Sequence, residues 1–472
     1  MNKNIKLFNT LGGKKEVFKP LKRGKINLFV CGPTVYDFSH IGHARTYIIF
    51  DCFVKYLKTI GYKVFYLQNI TDIDDKIILR AKEKDVLPSD LSQAYEKEYL
   101  KDMKIIGVDS VNKYARATDH IKEIISQVER LMEKGFAYKI DDGIYFDTLK
   151  FKEYGKLSGR TSLEVEDSFS RIDYSKNKKN RGDFCLWKFR DSQDEPSWNS
   201  PFGQGRPGWH IEDTAITEKF FGAQYDIHGG GRDLLFPHHE AEVTQMESLS
   251  SKKPMAKYWL HTGFLTINGQ KMSKSLNNSV LISSFIERYS SFEIRFWIAK
   301  NLWKSPIDYS ESTMMEVKSA LSKIEEFLRK LQEAQKSKSK NKKESLLKLI
   351  KATENNFFDD LSDDFNTPKA FATLFEFIKQ INKLIDSDLL SSKDAKTIYK
   401  LFEKIDKIFG IIDFKKIKKS NIPKEVSELM KKREEFRKSQ LWDKADEARK
   451  EIEKYGYTVQ DSSHGAVIKK NQ

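Results

Sequence analysis

The chain has 472 residues, 39% hydrophobic and 32% charged. That is room for several cored domains, with no apolar run near the ~20 residues that cross a membrane. Its three cysteines, Cys31, Cys52 and Cys185, are too scattered for a disulfide framework and fit a reducing cytoplasm, as does an N-terminus without the apolar core of a secretory signal. A formal net charge of +15 favours a polyanionic partner, with a generally lysine-rich composition as the plainer account.

Residues 1–25 read as a short lead-in with a turn at Leu11-Gly12-Gly13. Ile26 to Val30 (I-N-L-F-V) is an apolar run of strand length. Beyond the loop Cys31-Gly-Pro-Thr-Val-Tyr-Asp-Phe-Ser-His-Ile-Gly-His43, apolar residues Tyr47, Ile48, Phe50, Phe53, Val54 and Leu57 recur at helical spacing up to Gly61. Val64 to Leu67 then predicts a second buried strand. A strand–loop–helix–strand unit opens a parallel doubly wound sheet, and such sheets bind ligands outside the carboxyl ends of their strands. Cys31 stands at a strand end. His40 to His43 stand at a helix start, where free N–H groups and the positive dipole end favour phosphate. Ile70-Thr-Asp-Ile-Asp-Asp75, at the second strand's carboxyl end, suits either the crevice or the capping of the next helix.

From Lys76 to Met132 the pattern is mostly helical, with Ile121, Ile124, Ile125, Val128 and Leu131 on one stripe. Between Gly135 and about Pro201 the texture changes to a hairpin signal around Asp141-Asp142 and polar loop, an insertion in the sheet domain. The sheet resumes with a strand at Tyr225 to His228 running into Gly229-Gly-Gly231, a helix over Phe236 to Met246 and a strand over Tyr258 to Ile267. After a turn at Asn268-Gly269 comes the polar loop Lys271-Met-Ser-Lys-Ser275. Beyond about Ser310 the chain reads as helix only, including one helix with Thr367 as N-cap and Pro368 at its first position. Lys415 to Lys419 and Pro423 mark a linker to a final small unit.

Two stretches carry chemistry. His40-Ile-Gly-His43 sets two imidazoles able to donate to phosphate oxygens around a glycine that admits a nucleotide close to the backbone. Lys271-Met-Ser-Lys-Ser275 sets two lysines on a loop suited to closing over a triphosphate, or simply a solvated basic loop. Together, at opposite ends of one sheet domain, they resemble the paired signatures of class I aminoacyl-tRNA synthetases. Within that class the chain resembles the cysteinyl-tRNA synthetase family. The blocks that carry the resemblance are Cys31 to Asp37, Asn69 to Asp74, Gly205-Arg-Pro-Gly-Trp-His-Ile-Glu212, Asp226-Ile-His-Gly-Gly-Gly231, Phe236-Pro-His-His-Glu240, Lys271 to Ser275 and Asp363-Asp-Phe-Asn-Thr-Pro368, all in family order.

The resemblance spans nearly the whole chain. It implies an α/β, doubly wound, parallel-sheet (Rossmann-like) catalytic domain at residues 1–134 and 202–267 with a connective insertion at 135–201. A signature-loop and stem-contact region at 268–310, a helical bundle contacting tRNA at 311–420 and a small anticodon-binding domain at 424–472 would follow. It further implies that cysteine is activated with Mg-ATP to cysteinyl-adenylate and passed to tRNA(Cys) by a cytoplasmic enzyme that needs no membrane and acts as a monomer. His40, His43, Lys271 and Lys274 are then the catalytic residues. His40, Gly42, His43, Gly230, Asp233 and Lys274 would hold ATP, and Cys31, Gly32, Thr71, Trp209 and His228 the amino acid. Trp442 and Arg449 would meet tRNA by stacking on or pairing with unstacked bases.

The family also holds one zinc ion through two cysteines, a histidine and a glutamate. Cys31, His238 and Glu242 match three of these ligands, but the position of the second cysteine is Asp213. Carboxylate oxygen is a zinc ligand, though a harder one than thiolate, which leaves open a retained Cys/Asp/His/Glu zinc or a site that has lost its metal. The family's stacking tryptophan near the C-terminus is also missing, the chain ending Ser463-His-Gly-Ala-Val-Ile-Lys-Lys470 before two last residues. Two other functions share part of this pattern. An ATP-dependent ligase joining cysteine to an amino sugar would lack the roughly 160 residues after Ser310, and a non-catalytic tRNA-binding paralogue would not need both signature motifs.

Overall fold

The computed structural model describes residues 4–160, 175, 177–192, 195–272, 279–335, 344–418, 423–462 and 465–470. Five parallel strands form the central sheet: β1 (Lys25–Val30), β2 (Lys63–Ile70), β3 (Lys113–Arg116), β4 (Tyr225–Gly231) and β5 (Ala256–Thr262), in the order β3-β2-β1-β4-β5. This is the doubly wound order with its switch point between β1 and β4, where the Cys31 N–H donates to the Gly229 carbonyl at 3.0 Å. The strands read as apolar runs because both faces are covered; Leu28, Phe29, Val30, Tyr66, Leu67, Ile227 and Trp259 are all buried. Helix α1 (Ile41–Thr59) packs so closely that a Cβ on Gly229 would stand 2.3 Å from the Phe50 ring.

Helices α2 (Ile211–Phe221) and α3 (Glu240–Ser250) flank β4 in sequence. The helix expected over Phe236 to Met246 starts only at Glu240. Pro237 has no N–H to donate and Phe236 is extended (φ −140°, ψ 133°), so Leu235–His239 forms an irregular turn instead. The single strand expected over Tyr258 to Ile267 is two. The chain leaves the parallel sheet at Gly263, where a Cβ would meet the Ser305 carbonyl at 2.4 Å, and Leu265–Ile267 pairs with Ile307–Tyr309 in a separate sheet. β3 lies inside the stretch expected to be helical; its four residues bury only Ala115, too little to leave an apolar run.

The insertion forms an antiparallel sheet of Ala137–Ile140, Gly143–Phe146 and Phe184–Phe189, joined by a fourth strand, Gly205–Pro207, that lies beyond the boundary expected at 201. Ile144, Phe146, Phe184 and Trp187 pack in the cluster that gives it a core. Long helices follow at Glu311–Ala334, Glu344–Ser362, Thr367–Asp386 and Ser392–Phe409. At the third, the Lys369 N–H is received by Asn366 Oδ1 at 3.2 Å, while the Thr367 hydroxyl donates to the Asn301 carbonyl; Asn366, not Thr367, does the capping.

The chain divides into two compact units, 1–322 with 348–376 and 400–411, and 323–347 with 377–399 and 412–472. Within the second unit, helices Lys424–Lys438 and Trp442–Lys454 and the hairpin Tyr457–Ser462/Gly465–Lys470 share a small core of Val426, Ile452 and Val459, so the stretch expected to be helix only beyond Ser310 closes on two antiparallel strands. Among the described residues no helix is long and apolar enough to cross a membrane.

Candidate active site and metal centre

A cleft of about 850 Å³ opens outside the carboxyl ends of β1 and β4, lined among others by Cys31, His40, His43, Trp209, Asp233 and Met272. On one wall His40 is the extended N-cap of α1 (φ −109°, ψ 167°). Its N–H donates to His43 Nδ1 at 3.2 Å, and the two rings stack 3.9 Å apart. With Nδ1 accepting, a neutral His43 carries its proton on Nε2. Gly42 keeps the wall open; a Cβ there would come within 2.9 Å of the His40 ring and 3.0 Å of the Met272 methyl. At the end of β4 a Cβ on Gly230 would lie 2.7 Å from the His239 ring, and one on Gly231 2.4 Å from Asp233 Oδ1. The backbone of Lys271 pairs with Thr266 in a short antiparallel strand; Lys274 lies outside the described residues.

Beside this wall four side chains from three segments converge. Cys31 follows β1, Asp213 is in the first turn of α2, His238 in the turn before α3 and Glu242 in the first turn of α3. His238 Nε2 lies 3.1 Å from Asp213 Oδ2, 3.2 Å from Glu242 Oε1 and 3.5 Å from Cys31 Sγ. Its other nitrogen is 2.8 Å from His210 Nδ1, and Trp209 stacks on the ring at 4.3 Å. Ligand atoms set tetrahedrally about 2.0–2.3 Å from a zinc ion are about 3.3–3.7 Å apart, close to these three separations.

The electrostatics also suit a cation. Asp213 Oδ1 and both Glu242 oxygens are buried and accept no hydrogen bond among the described residues. Burial first, then Asp213 and Glu242, pushes the Cys31 thiol well above its usual pKa. Burial, Asp213 and Glu212 push Glu242 well up, and burial and Asp213 do the same to Glu212. No lysine or arginine among the described residues pairs with Cys31, Glu212 or Glu242, so these three hold either protons or a metal. Burial and neighbouring histidines push His210 and His228 well below the usual value, leaving the imidazoles neutral.

The expected amino-acid residues separate into two layers. Cys31, Gly32 and Trp209 line the cleft. The Gly32 N–H donates to Asn69 Oδ1 at 2.5 Å, and a Cβ on Gly32 would be 1.8 Å from the Asn69 carbonyl oxygen, so the loop after β1 touches the end of β2 through backbone. Thr71 and His228 lie beneath. The Thr71 hydroxyl donates to Glu212; His228 Nδ1 is 2.7 Å from the Tyr225 hydroxyl and 3.6 Å from Glu242 Oε2, with its ring stacked on Trp259. Asp74 caps the helix Asp75–Lys84 by accepting from the Lys76 N–H, so the 70–75 segment divides its work between capping and the site. Sequence reasoning missed Asn69, His210 and Glu212 as site residues, although all three stand inside the blocks already singled out.

In the second unit Trp442 is 58% exposed at the start of its helix, and Arg449 Nε lies 3.4 Å from Glu453 one turn on.

The family model for the class I (C) tRNA synthetase catalytic domain matches residues 17–319, a DALR domain model 356–413 and a cysteinyl-tRNA ligase anticodon-binding domain model 419–468. Proteins named cysteine–tRNA ligase from Thermoplasma volcanium and Methanococcus maripaludis are 44% and 43% identical, covering 96% and 99% of this chain and 97% and 99% of their own length. One from Pyrococcus horikoshii is 41% identical over 99% of both. Among solved structures, a Mycobacterium tuberculosis methionyl-tRNA synthetase bound to methionyl-adenylate is similar with a TM-score of 0.62 at 15% identity, over 81% of this chain and 90% of that one. A LeuRS–tRNA ternary complex from Agrobacterium radiobacter has a TM-score of 0.62 at 11% identity, over 86% of each. At those identities the likeness is one of fold.

Proposed function

The chain belongs to the family of cysteine–tRNA ligases, and from that premise we propose how its own residues carry the reaction. The enzyme activates cysteine with ATP to cysteinyl-adenylate and transfers the cysteinyl group to the 3′-terminal ribose of tRNA(Cys). In the first step a carboxylate oxygen of cysteine attacks the α-phosphorus and pyrophosphate leaves. That carboxylate is ionised at neutral pH and needs no general base. The protein's task is alignment and charge stabilisation. His40, His43 and the free N–H groups at the start of α1 meet the phosphates of Mg-ATP. Gly42, Gly230 and Asp233 shape the nucleotide wall, and Lys271 and Lys274 close from the loop. In the second step a ribose hydroxyl attacks the acyl carbon, losing its proton, and AMP leaves.

Cys31, Asp213, His238 and Glu242 would hold a zinc ion, which supplies preference for the substrate's thiolate over the hydroxyl of serine. The orphaned buried oxygens of Asp213 and Glu242 are the observation that supports it. Trp209 walls the amino-acid pocket. Thr71 and His228 support it from below, through Glu212 and Tyr225. Trp442 and Arg449 take unstacked anticodon bases. A cytoplasmic setting suits three cysteines that are all free and buried, and the chain is proposed to act there as a monomer.

The carrying observation is the convergence of the Cys31 cluster and the α1 start on one cleft. The test measures cysteine-dependent ATP–pyrophosphate exchange, attachment of labelled cysteine to tRNA(Cys), and metal content of protein purified without chelator or affinity metal. Exchange, charging and about one equivalent of zinc are expected. Exchange without charging would refute the transfer step, and well under one equivalent the metal.

A further inference from the structure

Arg45, two residues beyond His43 on α1, is only 2% exposed. Among the described residues it makes no ion pair, and burial alone lowers its pKa to about 9. Its Nη1 donates to the Phe264 carbonyl and its Nη2 to the carbonyls of Ser305 and, at 3.4 Å, Trp303; Nε has no partner. A buried guanidinium without a counter-charge is costly, and these carbonyls do not require it. Those of Phe264 and Trp303 already accept the Ile307 and Gly263 N–H groups at 3.0 Å, so only Ser305 depends on Arg45.

What the three carbonyls share is position. Gly263 and Phe264 connect β5 to Leu265–Ile267, which pairs with Ile307–Tyr309 on one side and Gln270–Lys271 on the other. Arg45 therefore fastens the root of the Lys271 hairpin to the helix whose start carries His40 and His43. It also lines the nucleotide cleft, along with Met272.

We propose that Arg45 is a positioning residue for ATP: it holds the two phosphate-facing walls in register, and its charge, unpaired among the described residues, is compensated when the triphosphate enters. This rests on reading the cleft as the site of cysteine activation. Such a residue acts on one substrate and not the other, which a merely structural residue would not do. ATP–pyrophosphate exchange by the full chain, with ATP and cysteine varied separately, makes the test on Arg45→Gln and Arg45→Lys. The glutamine variant should raise the ATP KM about tenfold or more while the cysteine KM stays within about twofold. The lysine variant, which keeps the charge but cannot grip two carbonyls, should recover much of the ATP KM and little of kcat. Equal rises in both KM values, unchanged kinetics, or lysine and glutamine variants that behave alike would overturn the proposal. Should the glutamine variant not fold, the lysine variant's split between KM and kcat decides. A parent chain without cysteine-dependent exchange would overturn the reading of the cleft instead.

Discussion

Asp213 brings a hard oxygen donor to a cluster whose one sulfur is Cys31. Thiolate binds zinc more tightly than carboxylate and is the softer ligand, so Asp213→Cys should retain zinc about tenfold or more tightly against a chelator, read as metal content after graded dialysis. Equal or weaker retention would show that Asp213 is no ligand. On the nucleotide side, Lys274→Ala should slow pyrophosphate exchange by about 100-fold, since a charge on the transferring phosphates is lost, with tRNA affinity within about twofold of the parent. Comparable losses in both would make the loop a tRNA contact. The ligand types were legible residue by residue. The geometry of one pair was not: His238 and Glu242 are four apart, as on a helix face, but His238 sits in the turn before α3 and reaches Glu242 at 3.2 Å from there.

Between elements, the buried pair of Asp51 on α1 and Arg295 on the helix Ser291–Ala299 ties the sheet domain to the region after the signature loop, with Nη2 and Oδ2 2.7 Å apart. Burial opposes the Asp51 charge, but Arg295 and then Lys55 outweigh it and hold the carboxyl below its usual 3.8. A depressed carboxylate pKa gives stability that is present above the unfolded value and lost as pH falls through the folded one. Asp51→Asn leaves Arg295 buried and unpaired. It should cost about 3–5 kcal/mol at pH 7, measured by denaturant unfolding, and the deficit should shrink as the pH is taken below 3.8. A deficit unchanged with pH would mean that packing, not charge, is what the substitution removes. Elements with a strong apolar period, β1, α1 and β2, were legible in sequence. β3 was not, because four residues at a sheet edge need bury only one side chain, and the break at Gly263 was not, because its cause is a backbone carbonyl 42 residues away.

At the scale of the whole molecule, a small unit carrying an exposed Trp442 and a chain of formal charge +15 are set for a polyanion. Stacking of a base on an aromatic ring contributes about 1–3 kcal/mol. Trp442→Ala should therefore lower kcat/KM for tRNA charging by about 5- to 150-fold while leaving pyrophosphate exchange within about twofold, and the tRNA affinity of the parent should fall steeply with added salt. An exchange rate that falls as far as charging would show that Trp442 supports the fold and not the tRNA.

Periodicity and short-range spacing determined the doubly wound sheet, the helix start at the end of β1 and the helices of the C-terminal third, because those features depend on neighbours in the chain. The two signature motifs and the blocks between them determined the chemistry, because residue types carry it. What only the tertiary structure decided is how distant segments meet. The Cys31 cluster draws on three of them, at Cys31, Asp213 and His238–Glu242. Thr71 faces Glu212 and His228 lies beneath Glu242 instead of in the open cleft, and Arg45 is left buried without a counter-charge among the described residues. Each depends on close packing between segments tens to hundreds of residues apart, a distance over which no periodicity in the sequence runs.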